Sequence, residues 1–103
     1  MSRYVLSPDA EDDLFEIWSY IAADSAEAAN RVESELFETF EALAGTPGQG
    51  HKRTDLTSEA VLFFLVYSYL VVYRPEKQPL EIVAVIHGAR DVRRVLEERS
   101  RSQ

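Results

Sequence analysis

The chain has 103 residues, of which 46% are hydrophobic and 11% aromatic, and its 18 acidic and 11 basic residues give a net charge of −7. So large an apolar share excludes a disordered chain, because its burial offsets the entropy lost on folding, and the length fits one domain over residues 1–103. With no cysteine, the chain has neither disulfides nor thiolate chemistry, and its net acidity argues against non-specific binding to nucleic acid.

The negative charge is confined to the first half of the chain. Residues 1–45 contain eleven acidic and two basic residues, a net charge of −9, whereas residues 46–103 carry +2. A solvated acidic helix surface explains such a pattern, and so do two functional faces of opposite charge.

A short strand is predicted at Tyr4–Leu6, followed by a helix. The segment Ser7–Asp9 is typical of a helix start, with Ser at the N-cap, Pro at the first position and an acid in the first turn. Three acidic residues, Asp12, Asp13 and Glu16, are predicted to lie away from the buried face. That face is an apolar stripe at helical spacing, formed by Ala10, Leu14, Ile17, Trp18 and Ile21.

A second helix is predicted to begin at Asp24–Glu27, which resembles a capping box, and to end in the Gly- and Pro-rich segment 45–50. Because only a few residues join the two helices, we expect an antiparallel helical hairpin. The apolar stripe of the second helix consists of Ala29, Val32, Leu36, Phe40 and Leu43.

The second half changes from helical to strand character. The apolar run Val61–Tyr73 is too short for a membrane helix and predicts two strands that turn near Tyr67-Ser68. Leu80–Ile86 predicts a third strand, and a short helix follows, with a tail at 100–103 that we expect to fray. The N-terminus shows no secretion-signal pattern, so we expect a cytoplasmic protein. The predicted fold is α+β: an N-terminal strand, a helical hairpin packed on a small antiparallel sheet, and a short C-terminal helix.

Individual residues offer little evidence of catalysis. His51 and His87 have no metal-ligand spacing, and no Gly-rich phosphate loop follows a strand. The polar segment His51–Asp55 carries the residue types of an acid/base pair for RNA cleavage, although an ordinary loop explains it better. We expect the His87 imidazole to fix the turn after its strand, and Asp91 to cap the last helix.

Five short motifs follow one another along the chain. They are Leu6-Ser7-x-x-Ala10-x-x-Asp13-Leu14-x-x-Ile17-Trp18-x-Tyr20-Ile21-Ala22, Ala28-Ala29, Leu43-Ala44-x-x-Pro47-x-x-Gly50, Tyr69-Leu70-Val71-Val72-Tyr73-Arg74 and Val85-Ile86-His87-Gly88-Ala89-Arg90-Asp91. Together they resemble the ParE toxins of the RelE/ParE superfamily, from about Tyr4 to Leu96. The resemblance implies the same fold, a helical hairpin against a small antiparallel sheet.

The resemblance also implies a function. ParE toxins belong to type II toxin-antitoxin systems, inhibit DNA gyrase by binding and form a hetero-oligomer with a ParD-like antitoxin; no enzymatic activity, cofactor, metal, membrane or sequence-specific nucleic acid is implied. On this chain, the expected gyrase contacts are Arg90, Arg93 and Arg94. The expected antitoxin contacts are Leu14, Ile17, Trp18, Tyr20 and Ile21, of which Trp18 also suits the core.

Two departures from the family pattern keep other functions open. Leu62 stands where an arginine is expected, and Tyr67 where a glycine turn is common. A toxin-derived module that only binds its antitoxin is one alternative. The other is a RelE-like ribosome-dependent mRNA endoribonuclease, although no tyrosine follows Tyr73 and the chain is acidic overall.

Overall fold

The computed structural model describes residues 3–101. Its elements follow the predicted order of strand, helical hairpin, three strands and helix, which confirms the α+β fold. A short 3₁₀ turn follows the second helix at Pro47–Gln49. The helices and strands are β1 (Tyr4–Leu6), α1 (Pro8–Ala22), α2 (Ala26–Gly45), β2 (Leu62–Val66), β3 (Tyr69–Arg74), β4 (Leu80–His87) and α3 (Val92–Arg101).

Serine hydroxyls cap both helices of the hairpin. Ser7 Oγ accepts a hydrogen bond from the Ala10 N–H at 3.1 Å, as the sequence predicts. Ser25 Oγ accepts one from the Ala28 N–H at 3.1 Å, so α2 begins at Ala26, inside the predicted start. Each cap satisfies one of the N–H groups that the first helical turn leaves without a backbone partner.

The four strands form one mixed sheet in the order β1-β4-β3-β2. The pairs β2–β3 and β3–β4 are antiparallel, as predicted for the three consecutive strands. β1 adds a parallel strand at the other edge, where Tyr4 lies opposite Leu80 and Leu6 opposite Ile82. It can do so because the whole hairpin and two strands separate it from β4, so no tight turn forces an antiparallel pairing.

The two faces of the sheet have separate apolar cores. The helical hairpin covers one face, where Tyr4 packs edge-on against Phe40 with ring centroids 5.5 Å apart. The buried residues of this core are Ala10, Leu14, Leu36, Phe40, Leu43, Val71, Tyr73, Leu80, Ile82 and Val85. α3 covers the opposite face, together with the segment before β2. The buried residues there are Val61, Phe63, Val72, Ala84, Ile86, Val92 and Leu96.

α3 extends further than the sequence indicates. Ser100 and Arg101 are helical, and Ser100 Oγ donates a hydrogen bond to Glu59 Oε2 at 2.8 Å, so the prediction that the tail frays is wrong at these two residues. The rest of that predicted tail, 102–103, lies outside the described residues.

The β2–β3 turn lies at Tyr67-Ser68, as predicted. Tyr67 has a φ of 54°, in the left-handed region that bulky side chains rarely adopt. Glycine would meet this backbone requirement without strain. Tyr67 is nevertheless 55% exposed, so little apolar burial compensates for the conformation.

Candidate functional site

The shortness of β1 creates a cleft on the hairpin side of the sheet. β1 pairs only with Leu80–Ile82 of β4. Further along the β4 edge, side chains of α1 and of its N-cap form hydrogen bonds with the strand backbone. Ser7 Oγ donates a hydrogen bond to the Val83 carbonyl at 2.8 Å, and Asp13 Oδ2 accepts one from the Val85 N–H at 2.9 Å. Beyond Asp13 a cavity of about 460 Å³ opens, here called the edge cleft. It is lined by Asp13, Glu16, Ile17, Tyr20, Tyr69, Val85, His87 and Arg90.

Asp13 forms the floor of the edge cleft and corrects the sequence prediction. It was predicted to lie on a face of α1 away from the core, but it is only 4% exposed. Its carboxylate binds the Arg99 guanidinium at both oxygens, at 2.6 and 2.9 Å, and this hydrogen bonding raises the pKa of Arg99. A carboxylate with three such donors satisfies its buried oxygens, so α1, β4 and α3 meet at one charged contact.

Aromatic and polar side chains form the open rim of the edge cleft. Tyr69 packs edge-on against the His87 ring with centroids 5.2 Å apart, and burial, with a smaller effect of Tyr20, raises the pKa of Tyr69. The Tyr69 phenol therefore remains protonated at neutral pH. Tyr20 is 81% exposed. His87 Nδ1 accepts a hydrogen bond from the Ala89 N–H at 3.0 Å, which confirms the predicted turn-fixing role of His87.

A second apolar depression lies between α1 and α2, here called the hairpin groove. Its cavity measures about 350 Å³. Trp18 lies on its wall and donates a hydrogen bond from Nε1 to Asn30 Oδ1 at 2.9 Å, so the indole is half-buried rather than fully in the core. Phe15 is 71% exposed there. The groove is lined by Leu6, Glu11, Leu14, Phe15, Trp18, Glu33 and Phe37.

Four of the five predicted antitoxin-contact residues divide between these two surfaces. Ile17 and Tyr20 line the edge cleft, whereas Leu14 and Trp18 line the hairpin groove. Ile21 is half-buried and lines neither. Leu14 is 8% exposed and belongs mainly to the core.

Phe15 is not among the predicted contact residues, although its position in the helical pattern indicates an exposed side chain. It is a large apolar residue of α1 that falls outside the buried stripe, which is the pattern of an exposed aromatic.

The three predicted gyrase-contact arginines do not share one surface. Arg90 lies on the edge cleft. Arg93 and Arg94 lie on α3, where their guanidinium groups bind Glu97 at 3.2 Å and Glu98 at 3.1 Å. These i,i+4 pairs are exposed and therefore weak, so both arginines remain available to a partner. The Asp91 carboxylate accepts a hydrogen bond from the Arg94 N–H at 3.2 Å, which confirms its predicted capping role.

The segment His51–Asp55 is an exposed loop. The His51 backbone pairs with Phe63 through two hydrogen bonds of 2.8 Å. The Arg53 guanidinium binds the Asp55 carboxylate at 2.8 and 3.0 Å, and this bonding lowers the pKa of Asp55, which is ionised at neutral pH. Within residues 3–101, no group of three or more His, Asp or Glu side chains is placed to hold a metal ion. None of the helices in that range combines the length and apolar character needed to cross a membrane.

Comparison with known proteins identifies the family. The model of the ParE toxins of type II parDE toxin-antitoxin systems matches residues 4–92, most of the chain. The chain belongs to the ParE toxin family. It is thus a toxin of the type II toxin-antitoxin class, as the motifs from Leu6 to Asp91 indicate.

A solved structure similar to this ParE chain supports the fold independently. It is described as a chromosomal ParDE TA system from P. aeruginosa, superposes with a TM-score of 0.68 and is 17% identical. The match covers 84% of this chain and 98% of the other. At that identity the similarity shows a shared fold. No curated protein matches the sequence significantly.

Proposed function

We propose that this ParE-family chain inhibits DNA gyrase by binding it, and that a ParD-like antitoxin neutralises the chain by covering α1. Membership of the ParE family carries the proposal. The chain acts as one toxin domain in the cytoplasm, where gyrase is found, and needs no cofactor for an activity that consists of binding.

The surface of α1 supports the antitoxin part of the proposal. Phe15 and Tyr20 are 71% and 81% exposed, and each lies beside an apolar cavity. Exposed aromatics next to apolar depressions are typical of interface anchors. An antitoxin segment that crosses α1 from the hairpin groove to the edge cleft would cover both rings.

Charge supports separate faces for the antitoxin and for the α3 part of the gyrase contact, whereas Arg90 lines the edge cleft that the antitoxin segment would also reach. The acidic half that contains the hairpin favours a basic antitoxin segment, because complementary charge speeds association and selects the partner. The arginines proposed for gyrase lie outside that half. Arg90 forms no ion pair with any of residues 3–101, and the pairs of Arg93 and Arg94 are weak enough to exchange for a gyrase carboxylate.

Two assays separate the proposal from its alternatives. The purified chain is added to a gyrase supercoiling and cleavage reaction and, separately, to a translating-ribosome reaction in which mRNA cleavage is followed. Inhibition of gyrase alone supports the proposal. Cleavage of mRNA alone would instead identify a RelE-like endoribonuclease, and activity in neither assay would identify a module that only binds its antitoxin.

A further inference from the structure

A third depression lies on the side of α2 that faces β2, away from the edge cleft and the hairpin groove. We call it the α2–β2 groove; its cavity measures about 350 Å³. Strand residues supply an apolar wall, and carboxylates of the helix face it. The residues that matter below are Glu35, Glu38 and Ala42 on the helix and Phe64, Val66 and Tyr67 on the strand side.

One carboxylate oxygen of the groove lacks a hydrogen-bond partner among the described residues. Glu35 Oε2 is buried and has no hydrogen-bond partner among the described residues. Neither Glu35 nor Glu38 forms an ion pair with any of residues 3–101. Burying a carboxylate oxygen without a partner is unfavourable, and such oxygens are rare in native proteins.

Two side-chain donors that line the groove are bonded to backbone carbonyls. Thr39 Oγ1 donates its hydrogen bond to the backbone carbonyl of Glu35 at 2.9 Å, and Gln49 Nε2 donates to the Ala42 carbonyl at 3.0 Å. Both side chains line the groove, yet neither satisfies the Glu35 carboxylate. Neither of these two side chains therefore donates to Glu35 Oε2.

We infer that the α2–β2 groove binds an arginine side chain of the antitoxin. Two carboxylates suit a guanidinium group, which donates several hydrogen bonds in one plane. The 55% exposed ring of Tyr67 offers a face for stacking of that plane, and Phe64 and Val66 offer apolar contact for its methylene groups. A lysine side chain would provide the positive charge but not the planar set of hydrogen-bond donors of a guanidinium group.

The antitoxin is the occupant that the charge distribution favours. The helix wall of the groove belongs to the hairpin half of the chain, which carries the −9 net charge and on which antitoxin binding is proposed. The inference thus rests on the proposed function and extends it from α1 to α2.

The first test replaces Glu35 with Gln, which keeps the shape and removes the charge. Binding of the full-length antitoxin encoded beside the toxin gene is measured by titration calorimetry, and Tm by thermal unfolding. We expect the Kd to rise about 10- to 100-fold, because a charge-assisted hydrogen bond is lost. Tm should stay close to the wild-type value, because Gln keeps the shape of the side chain and Glu35 forms no ion pair within residues 3–101. A residue with a merely structural role would lower Tm instead.

Glu27→Gln is the matched control. It removes the same charge from an exposed position of α2 outside the groove and should leave the Kd within about twofold. Ala42→Arg places a guanidinium four residues after Glu38, at an exposed helix position, and should weaken antitoxin binding while leaving Tm unchanged or higher.

A double-mutant cycle identifies the partner residue. Each arginine of the antitoxin is replaced by methionine in turn, and one replacement should weaken binding to the wild-type toxin but cause no further loss with the Glu35→Gln variant.

The possible failures are distinguishable. Wild-type affinity in Glu35→Gln, or an equal loss in Glu27→Gln, would overturn this inference and leave the proposed function intact. No binding of the antitoxin to the wild-type chain would overturn both. If Glu35→Gln binds the antitoxin normally but no longer inhibits gyrase, the groove serves gyrase and the inference is wrong.

Discussion

Asp13 and Arg99 illustrate how a single pair joins distant parts of the chain. The carboxylate is buried and accepts hydrogen bonds from both the Arg99 guanidinium and the Val85 N–H. Asp13→Ala would leave the guanidinium and the N–H without their acceptor, so we expect the free energy of unfolding to fall by about 3 kcal/mol. Urea unfolding measures the change.

Asp12→Ala is the control for that substitution, because Asp12 is the exposed neighbour on the same helix. Its effect should stay within about 0.5 kcal/mol. Equal losses from the two variants would contradict the role assigned to the Asp13–Arg99 pair.

The raised pKa of Tyr73 indicates how the stability of the protein should change at alkaline pH. The phenol is fully buried, donates a hydrogen bond to the Pro47 carbonyl at 2.7 Å and accepts one from the Gly50 N–H at 2.9 Å. Burial raises its pKa above the ordinary 10.0, although the bond from Gly50 partly offsets this. Above pH 10 the unfolded chain therefore loses its proton first, and stability should fall as the pH rises.

The Tyr73→Phe variant tests this explanation. It should lose about 1–2 kcal/mol at neutral pH, where two hydrogen bonds are missing, and its stability should decline less steeply above pH 10. Urea unfolding between pH 8 and pH 11 measures both effects. An unchanged slope above pH 10 in the variant would show that Tyr73 does not cause the decline.

These residue contacts lie beyond what the sequence could predict. The N-caps at Ser7 and Asp91 were predictable, because a cap depends on residues within one helical turn. The burial of Asp13 was not, because its partners are 72 and 86 residues away along the chain. Periodicity marks apolar residues as buried and cannot identify a charged residue whose burial depends on a distant arginine.

At the scale of the elements, α1 is the helix on which antitoxin binding is proposed to depend. Phe15→Ala and Tyr20→Ala each remove an exposed ring that contributes little to the core, so stability should change by no more than about 0.5 kcal/mol. Antitoxin affinity should fall at least about tenfold for each, as for interface anchors. Calorimetric titration and urea unfolding separate the two effects.

Ser19→Ala is the matched control on α1, because Ser19 is also exposed but offers no large apolar contact. It should bind the antitoxin as the wild type does. Wild-type affinity in both aromatic variants would exclude α1 as the antitoxin surface.

α3 and the turn before it carry the proposed gyrase contact. Arg93→Gln combined with Arg94→Gln removes two exposed cations and two weak ion pairs, so folding should be preserved and gyrase inhibition weakened. Arg90→Gln tests the edge cleft separately. The concentration that inhibits half of gyrase supercoiling is the readout.

Lys52→Gln combined with Lys77→Gln provides the control, because it makes the same change in charge at exposed positions elsewhere. Equal weakening in this control would attribute the effect to net charge. No weakening in any arginine variant would reject the assigned gyrase contact.

The elements themselves were largely predictable. Caps, apolar periodicity and the turn at Tyr67-Ser68 are local signals, and they predict the order of the helices and strands within residues 3–101. The parallel pairing of β1 with β4 and the separation of Arg90 from Arg93 and Arg94 arise from contacts between distant segments. Local sequence patterns do not indicate which distant segments come into contact.

At the scale of the whole molecule, the charge asymmetry is the clearest link between sequence and proposed function. The hairpin half carries −9 and the remaining half +2. The helices α1 and α2, which carry the proposed antitoxin surface and one wall of the α2–β2 groove, belong to the acidic half, whereas Arg93 and Arg94 of the proposed gyrase contact belong to the other half. One chain can thus present different chemistry to two partners.

Gyrase supercoiling in the presence of the purified wild-type chain, with and without its antitoxin, tests directly whether the chain inhibits gyrase. We expect dose-dependent inhibition that is relieved when the antitoxin is added before the toxin, because bound antitoxin prevents the toxin from inhibiting gyrase. Supercoiling that is unaffected by a folded, antitoxin-binding chain would contradict this expectation.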